Sequence, residues 1–238
     1  MSYYEVKQER KYNKNKKYLI TDTDEGRFLY ENKLSATEEP FVDEKILLKI
    51  FNIIEIGAGY GRTCHAFLSL NNDLKKYLII DFPEMLSLSS RYLKKVLDNK
   101  NFKKVSFIDA NQNLDNITEL NLKNCLTINI NSFNEMSDNA FNIYIELING
   151  IGGFFYTKNP VAKFNDPDIT TNIKRKKIAL NTGQIKKIIN IFDEKELNKA
   201  KRNYVQTYLP STKWKIISTK FSRPLIYYLQ TLYEKKNN

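Results

Sequence analysis

Residues 52–62, Asn-Ile-Ile-Glu-Ile-Gly-Ala-Gly-Tyr-Gly-Arg, constrain the fold more than any other stretch of this chain. Ile53, Ile54 and Ile56 form a short apolar run of the kind found in strands buried on both faces of a parallel sheet. Glycines follow at alternate positions, Gly57, Gly59 and Gly61, and a helical pattern with Ala66, Phe67 and Leu70 begins at once. Glycine accepts positive φ and lets a ligand approach the backbone without meeting a Cβ. The helix beyond it directs unpaired N–H groups and the positive end of its dipole at the turn. The stretch therefore predicts a strand, a ligand-approachable turn and a helix. A tight turn with no ligand is the plainer reading, so the rest of the chain has to decide.

At 238 residues the chain suits one sizeable α/β domain. The reading is an N-terminal extension over residues 1–40, an arm or a helix, followed by a single domain over residues 41–238. Hydrophobic content of 42% and mean hydropathy of −0.51 fit a water-soluble globular protein. No apolar run approaches the roughly 18 residues needed to span a bilayer. Residues 3–17 are charged from the start and lack a secretory apolar core. Cys64 and Cys125 have no metal-ligand spacing and read as reduced, buried thiols, and no metal site is expected. These features together predict a cytoplasmic protein. The formal charge of +11 is compatible with a nucleic acid, a membrane surface or an anionic small substrate. Its lysines are scattered, however, and read first as a solvated surface.

After the glycine turn, apolar runs and helical patterns alternate. Pro40 precedes a helix carrying Val42, Ile46, Leu47 and Ile50. The second strand is Tyr77-Leu78-Ile79-Ile80, closed by Asp81-Phe82-Pro83, and Pro83 opens a helix in which Met85, Leu88, Tyr92 and Val96 recur at spacings of three or four, with Leu86, Leu93 and Leu97 beside them. Val105-Ser106-Phe107-Ile108 forms a third strand ending in Asp109-Ala110, with a short helix near residues 117–120. Residues 126–130 form a fourth. Ser137 caps a helix carrying Phe141, Tyr144, Ile145 and Ile148, which stops at Gly150. Phe154-Phe155-Tyr156 opens a fifth strand. Residues 160–183 break the rhythm and read as a lid-like insertion containing Asp166, Asp168 and the basic run 174–177. Thr182 then caps a predicted helix with Ile185, Ile188, Ile189 and Phe192, and another carries Leu197, Ala200, Tyr204 and Tyr208. Residues 214–219 and 225–232 close the chain as a hairpin, so one of them runs antiparallel.

The glycine spacing differs from the G-x-G-x-x-G of dinucleotide-binding turns, and the acid before it, Glu55, resembles motif I of the class I methyltransferases. Five βα units and a terminal hairpin are also similar to that class. The resemblance implies an α/β, Rossmann-like fold: a seven-stranded, mostly parallel sheet with an antiparallel last strand and helices on both faces. Four blocks narrow it: Glu-Ile-Gly-Ala-Gly-Tyr-Gly (55–61), Ile-Asp-Phe-Pro-Glu (80–84), Asn-Ser-Phe-Asn-Glu-Met (131–136) and Gly-Gly-Phe-Phe-Tyr (152–156). Together they resemble a bacterial family of sugar O-methyltransferases, over roughly residues 50–160. That resemblance implies S-adenosylmethionine as cofactor and methylation of a hydroxyl on a sugar or sugar-like, possibly nucleotide-linked, surface-polysaccharide precursor. Phe82 stands where leucine is usual, and Arg62 follows the last glycine.

In an open parallel sheet a ligand lies across the carboxyl ends of the strands where strand order reverses. Asp81 ends the second strand, and its two carboxylate oxygens suit the two hydroxyls of a ribose. Asp109 ends the third and would accept from an adenine amine, while the Ala110 amide donates to a ring nitrogen. Glu55 and the Gly57 and Gly59 backbone would face the methionine end, and Ala58, Gly61 and Phe82 complete the expected cofactor-binding set. Asp81 and Asp109 would otherwise simply cap the next helices. A sugar hydroxyl is a weak nucleophile and calls for a base or a metal to help remove its proton. Glu135 is the candidate base, with Asn131 and Ser132 orienting the acceptor. Alternatively, residues 131–137 only build a helix cap. His65, the sole histidine, sits in the first helix and reads as structural.

Two other functions compete. An RNA methyltransferase accords with the charge, but a base-amine enzyme would carry an Asn/Asp-Pro-Pro-aromatic segment where Asn131-Ser132-Phe133 stands, and nucleic acid is not the expected partner. A non-catalytic protein that binds S-adenosylmethionine is opposed by the intact Glu55, Gly57, Gly59, Gly61 and Asp81.

Overall fold

The computed structural model describes residues 46, 49–112, 114–120, 122–163, 177–178, 180–222 and 227–236. The N-terminal extension, nearly all of the helix expected before the first strand, and most of the lid-like insertion, including Asp166 and Asp168, lie outside them. In chain order the described elements are β1 (Asn52–Ile56), α1 (Arg62–Leu70), β2 (Lys76–Asp81), α2 (Pro83–Val96), α3 (Asn99–Phe102), β3 (Val105–Asp109), α4 (Asp115–Glu119), β4 (Cys125–Ile130), α5 (Asp138–Ile151), β5 (Phe154–Pro160), α6 (Glu194–Thr207), β6 (Trp214–Phe221) and β7 (Tyr228–Lys235).

The sheet order is β3-β2-β1-β4-β5-β7-β6. Strands β1 to β5 pair in parallel, β7 runs against β5, and β6 runs against β7. The last strand in sequence is therefore the one reversed strand, as expected. The chain winds outward from β1 through β2 to β3, then returns to place β4 on the other side of β1. That reversal leaves a crevice at the carboxyl ends of β1 and β4.

Alternation along the strands splits the core into two layers. Ile54, Ile56, Leu78 and Ile80 pack under α4, α5 and α6, while Ile53, Tyr77 and Ile79 pack under α1 and α2. Helices thus cover both faces. Phe133, from the loop after β4, is fully buried in the first layer. It stacks on Tyr208 with ring centroids 6.0 Å apart and meets Phe141 edge-on at 5.2 Å. Truncating such a ring removes its burial and leaves a cavity, at a cost of about 3–5 kcal/mol. Phe133→Ala is expected to lower the melting temperature by roughly 10 °C, at about 2–4 °C per kcal/mol for a domain of this size. A shift under about 3 °C in thermal unfolding would show that the loop is not anchored through this ring.

Three local expectations need correction, and one left open is decided. Residues 182–192 are not helical. Gly183, at φ 70°, donates its amide to the Met136 carbonyl at 2.8 Å, and a Cβ there would collide with the Asn134 backbone. The following residues run beside Lys163, which is bridged in parallel to Ile188. Ile185 and Ile189 are buried while Phe192 is 82% exposed, so a helix-like spacing arose from a docked, irregular segment. On α2 the sheet is met by Ser89 and Leu93, whereas Leu88 and Val96 stay exposed; the apolar line one position along the helix won the contact. Helix α5 is capped by Ser137, whose hydroxyl accepts from the Ala140 amide, but it ends at Ile151 with Gly152 at φ 76°, beyond Gly150. The hairpin strands extend to residues 221 and 235, past the expected limits.

Candidate functional site

The register aligns the strand ends that the crevice needs: Ile56 lies opposite Ile80 and Asn129, and Asp81 opposite Asp109. Above them opens a cavity of about 1320 Å³, walled by the glycine turn, the ends of β2 and β4, the loop after β3 and the inner face of α5. This volume exceeds the roughly 300–1,000 Å³ common for a single small-molecule site.

The turn begins where the Gly57 amide donates to the Ile80 carbonyl at 2.9 Å. All three glycines have positive φ, at 73°, 57° and 90°, and each Cα therefore sits where a side chain is disfavoured. Gly57 is also crowded, because a Cβ would run into the Ser132 side chain. At Gly59 a Cβ would meet nothing within 4 Å, so this residue forms the open floor of the cradle.

Asp81 spans the crevice. Its two carboxylate oxygens accept from the Gly59 amide at 2.9 Å and from the Phe82 amide at 2.8 Å. The residue is only 8% exposed, and burial raises its pKa, while these two amides draw it back. Each oxygen keeps capacity for a further donor. Phe82 lines the cavity beside it and is 57% exposed. Glu55 is buried in the wall and accepts a 2.7 Å hydrogen bond from the Tyr77 hydroxyl. Tyr144, across the cavity on α5, has its pKa raised to about 12 by burial and by the Asp81 charge, so it remains neutral.

Two expectations at the end of β3 do not hold as drawn. Asp109 does not line the cavity; its carboxylate accepts from the Asn111 amide at 2.8 Å and from the Asn111 side chain at 3.0 Å. Ala110 lines the cavity, but its amide is already donated to the Asp81 carbonyl at 2.9 Å. A ligand there meets Asn111 and Gln112 instead.

The loop after β4 brings Asn131, Ser132 and Glu135 to the cavity together. Ser132 donates to the Ile56 carbonyl at 3.1 Å and accepts from Asn129, so its hydroxyl ties this loop to the glycine turn. Asn131 sits at φ 57° and accepts from the Tyr228 hydroxyl at 2.7 Å. Glu135 is exposed on the cavity side. Lys163 donates to the Asn134 carbonyl at 2.9 Å; burial lowers its pKa and the Glu135 carboxylate opposes that.

Beneath the loop lies a polar network not anticipated from sequence. Asn129 receives Asn159 at 2.8 Å and the Phe133 amide at 3.3 Å, and the Tyr204 hydroxyl from α6 accepts from the Asn159 amide at 3.0 Å. An asparagine inside the apolar run of a central parallel strand was the signal available for it. His65 does not line the cavity; its Nδ1 pairs with the Tyr92 hydroxyl at 2.9 Å. Both cysteines are buried, and burial raises their pKa values. Among the described residues no helix is long and apolar enough to cross a membrane.

No protein-family profile matches the chain, and no curated protein sequence does. Solved structures do resemble it. The methyltransferase domain of bacterial CtHen1-C superposes with a TM-score of 0.57 at 9% identity, covering 90% of this chain and 99% of that one. The glycopeptide N-methyltransferase MtfA gives 0.51 at 10% identity, over 90% and 95%. The mitomycin 7-O-methyltransferase MmcR gives 0.51 at 8% identity, over 78% of this chain and 49% of its own. At such identities the likeness is one of architecture. The chain has the Rossmann-like, seven-stranded fold of the class I methyltransferases.

Proposed function

We propose that this protein is an S-adenosylmethionine-dependent O-methyltransferase that acts on a hydroxyl of an uncharged, sugar-like acceptor. The observation that carries the reading is the open glycine cradle at Gly59, faced at hydrogen-bond distance by the buried Asp81 carboxylate. When bound, the cofactor supplies an activated methyl group on a sulfonium centre. Asp81 then receives the ribose hydroxyls, Glu55 lies at the methionine end, and Asn111 and Gln112 meet the adenine in place of the Ala110 amide. The cavity's size leaves room for a second molecule beside the cofactor.

The acceptor's side is assigned to Asn131 and Glu135. With its carbonyl oxygen held by Tyr228, the Asn131 side chain offers its NH₂ to an acceptor oxygen. Glu135 takes the hydroxyl proton as methyl transfer proceeds, and Lys163 steadies its loop. Ser132 acts by position, through its bonds to Ile56 and Asn129. The charged groups on the described wall are Glu55, Asp81, Glu135 and Glu146 against Arg62 alone. This acidic lining favours an uncharged acceptor over a nucleotide-linked sugar or an RNA, and the net charge of +11 resides elsewhere.

A screen of matched free and nucleotide-linked sugars, read by the mass gain of one methyl group, tests the acceptor class. Turnover confined to nucleotide-linked members or to RNA would overturn it. Glu135→Gln is expected to lower kcat by about 10²-fold or more, the usual worth of a positioned base. The affinity for S-adenosylmethionine should stay unchanged. Turnover within a few-fold of the parent would remove Glu135 from the base's role.

A further inference from the structure

We infer that Arg62 holds the α-carboxylate of the cofactor's methionine moiety, an assignment that rests on the cofactor reading above. Arg62 is the first residue of α1, and it lines the cavity directly after the glycine turn. Its Nε atom is buried and has no hydrogen-bond partner. Burying a cationic donor without a partner is costly, and native structures rarely leave one unless a ligand completes it.

The guanidinium is also held by an aromatic ring. Its central carbon lies 4.6 Å from the centroid of the Tyr60 ring, in cation–π geometry. Tyr60 meets Tyr92 edge-on at 5.5 Å, and Tyr92 is fixed by its hydrogen bond to His65 at 2.9 Å. His65 and the half-buried Tyr92 of α2 thus form a buttress that ends in the arginine. The arginine contributes a planar fork matched to a carboxylate.

The ligand's chemistry calls for such a group. The amino-acid end of S-adenosylmethionine carries an ammonium and a carboxylate, next to a sulfonium. Glu55 and Asp81 provide anions for the cationic and ribose parts, and neither attracts a carboxylate. Arg62 is the one cation on the described cavity wall, and the N-terminal end of α1 adds its positive dipole at the same place.

Two ligands that differ only in this group test the assignment: S-adenosylmethionine and decarboxylated S-adenosylmethionine, titrated by calorimetry into the full-length protein and its Arg62→Met and Arg62→Lys variants. Arg62→Met should weaken S-adenosylmethionine on the order of 30-fold, the worth of a charge-assisted bidentate contact, and leave the decarboxylated ligand within about twofold. Arg62→Lys should recover part of the loss, because it keeps the charge and not the fork. Equal weakening of both ligands, or of neither, would overturn the assignment, and thermal melts establish that each variant is folded. A parent protein that binds neither ligand would overturn the cofactor reading and this inference with it. Arg62→Met binding the cofactor normally while losing an anionic acceptor would transfer the residue to the acceptor's side and also overturn it.

Discussion

Asp81→Asn is expected to weaken S-adenosylmethionine binding by about 10²-fold. In the proposed function the carboxylate receives both ribose hydroxyls, and hydrogen bonds to a charged acceptor are each worth about 1.5–3 kcal/mol. Losing about 3 kcal/mol corresponds to roughly 100-fold at 1.4 kcal/mol per decade. Decarboxylated S-adenosylmethionine should lose the same factor, because it keeps the ribose; this separates Asp81 from Arg62, whose effect is confined to the carboxylate. The unliganded fold should lose about 1–3 kcal/mol, because the new amide nitrogen cannot accept and leaves the Gly59 or Phe82 amide without its partner. Burial already disfavours the ionised Asp81, as its raised pKa shows, and only the Gly59 and Phe82 amides offset that. The sign for pH follows: the ionised form accepts the ribose, so affinity should fall on acidification at a pH above that of an ordinary carboxyl group. Calorimetric titration of the parent and Asp81→Asn proteins measures both effects. Affinity retained within about threefold would mean that the ribose is bound elsewhere.

The sheet was legible because each of its first five strands is an apolar run closed by a turn residue or an acid, and parallel strands buried on both faces leave that mark. The closing hairpin showed as two strand-like runs with a short connection. Where the reading failed, tertiary contacts overrode local pattern. Ile185 and Ile189 have helical spacing, yet Gly183 must lie against Asn134, and the chain can meet that only by leaving the helix. On α2 two apolar lines ran side by side, and no local rule says which one the sheet will take.

The site divides in the same way. Gly57, Gly59, Asp81 and Glu55, singled out for their positions at strand ends and in the turn, line one cavity. Roles that depend on where a particular hydrogen bond goes were not legible. The Ala110 amide is spent on Asp81, the Asp109 carboxylate on Asn111, and the Ser132 hydroxyl on Ile56. Tyr228 and Lys163 reach the loop after β4 from distant parts of the chain, through contacts that only the folded topology creates. Arg62 was visible as an unusual residue after the glycines, but its buried, unpaired Nε was not.

Gly57→Ala is expected to disable the cradle. At φ 73° a side chain costs about 1–2 kcal/mol, and driving a Cβ into the Ser132 side chain adds about 1–3 kcal/mol of overpacking. A loss near 3 kcal/mol would lower the melting temperature by roughly 10 °C. Cofactor affinity should fall more than 10²-fold, because relief of the clash moves the turn away from Asp81. Gly59→Ala isolates the backbone part: it has a similar φ and open space around the added methyl, so it should cost stability by the first term alone. A Gly57→Ala, Ser132→Gly pair isolates the other part. Removing the Ser132 side chain sacrifices its bonds to Ile56 and Asn129, so the double variant need not be more stable than either single one. The coupling between the two sites, measured by a double-mutant cycle in denaturant unfolding, should still favour the pair by about 1–2 kcal/mol. A coupling near zero would mean that Gly57 is needed for its backbone conformation only, and that the loop after β4 does not brace the glycine turn.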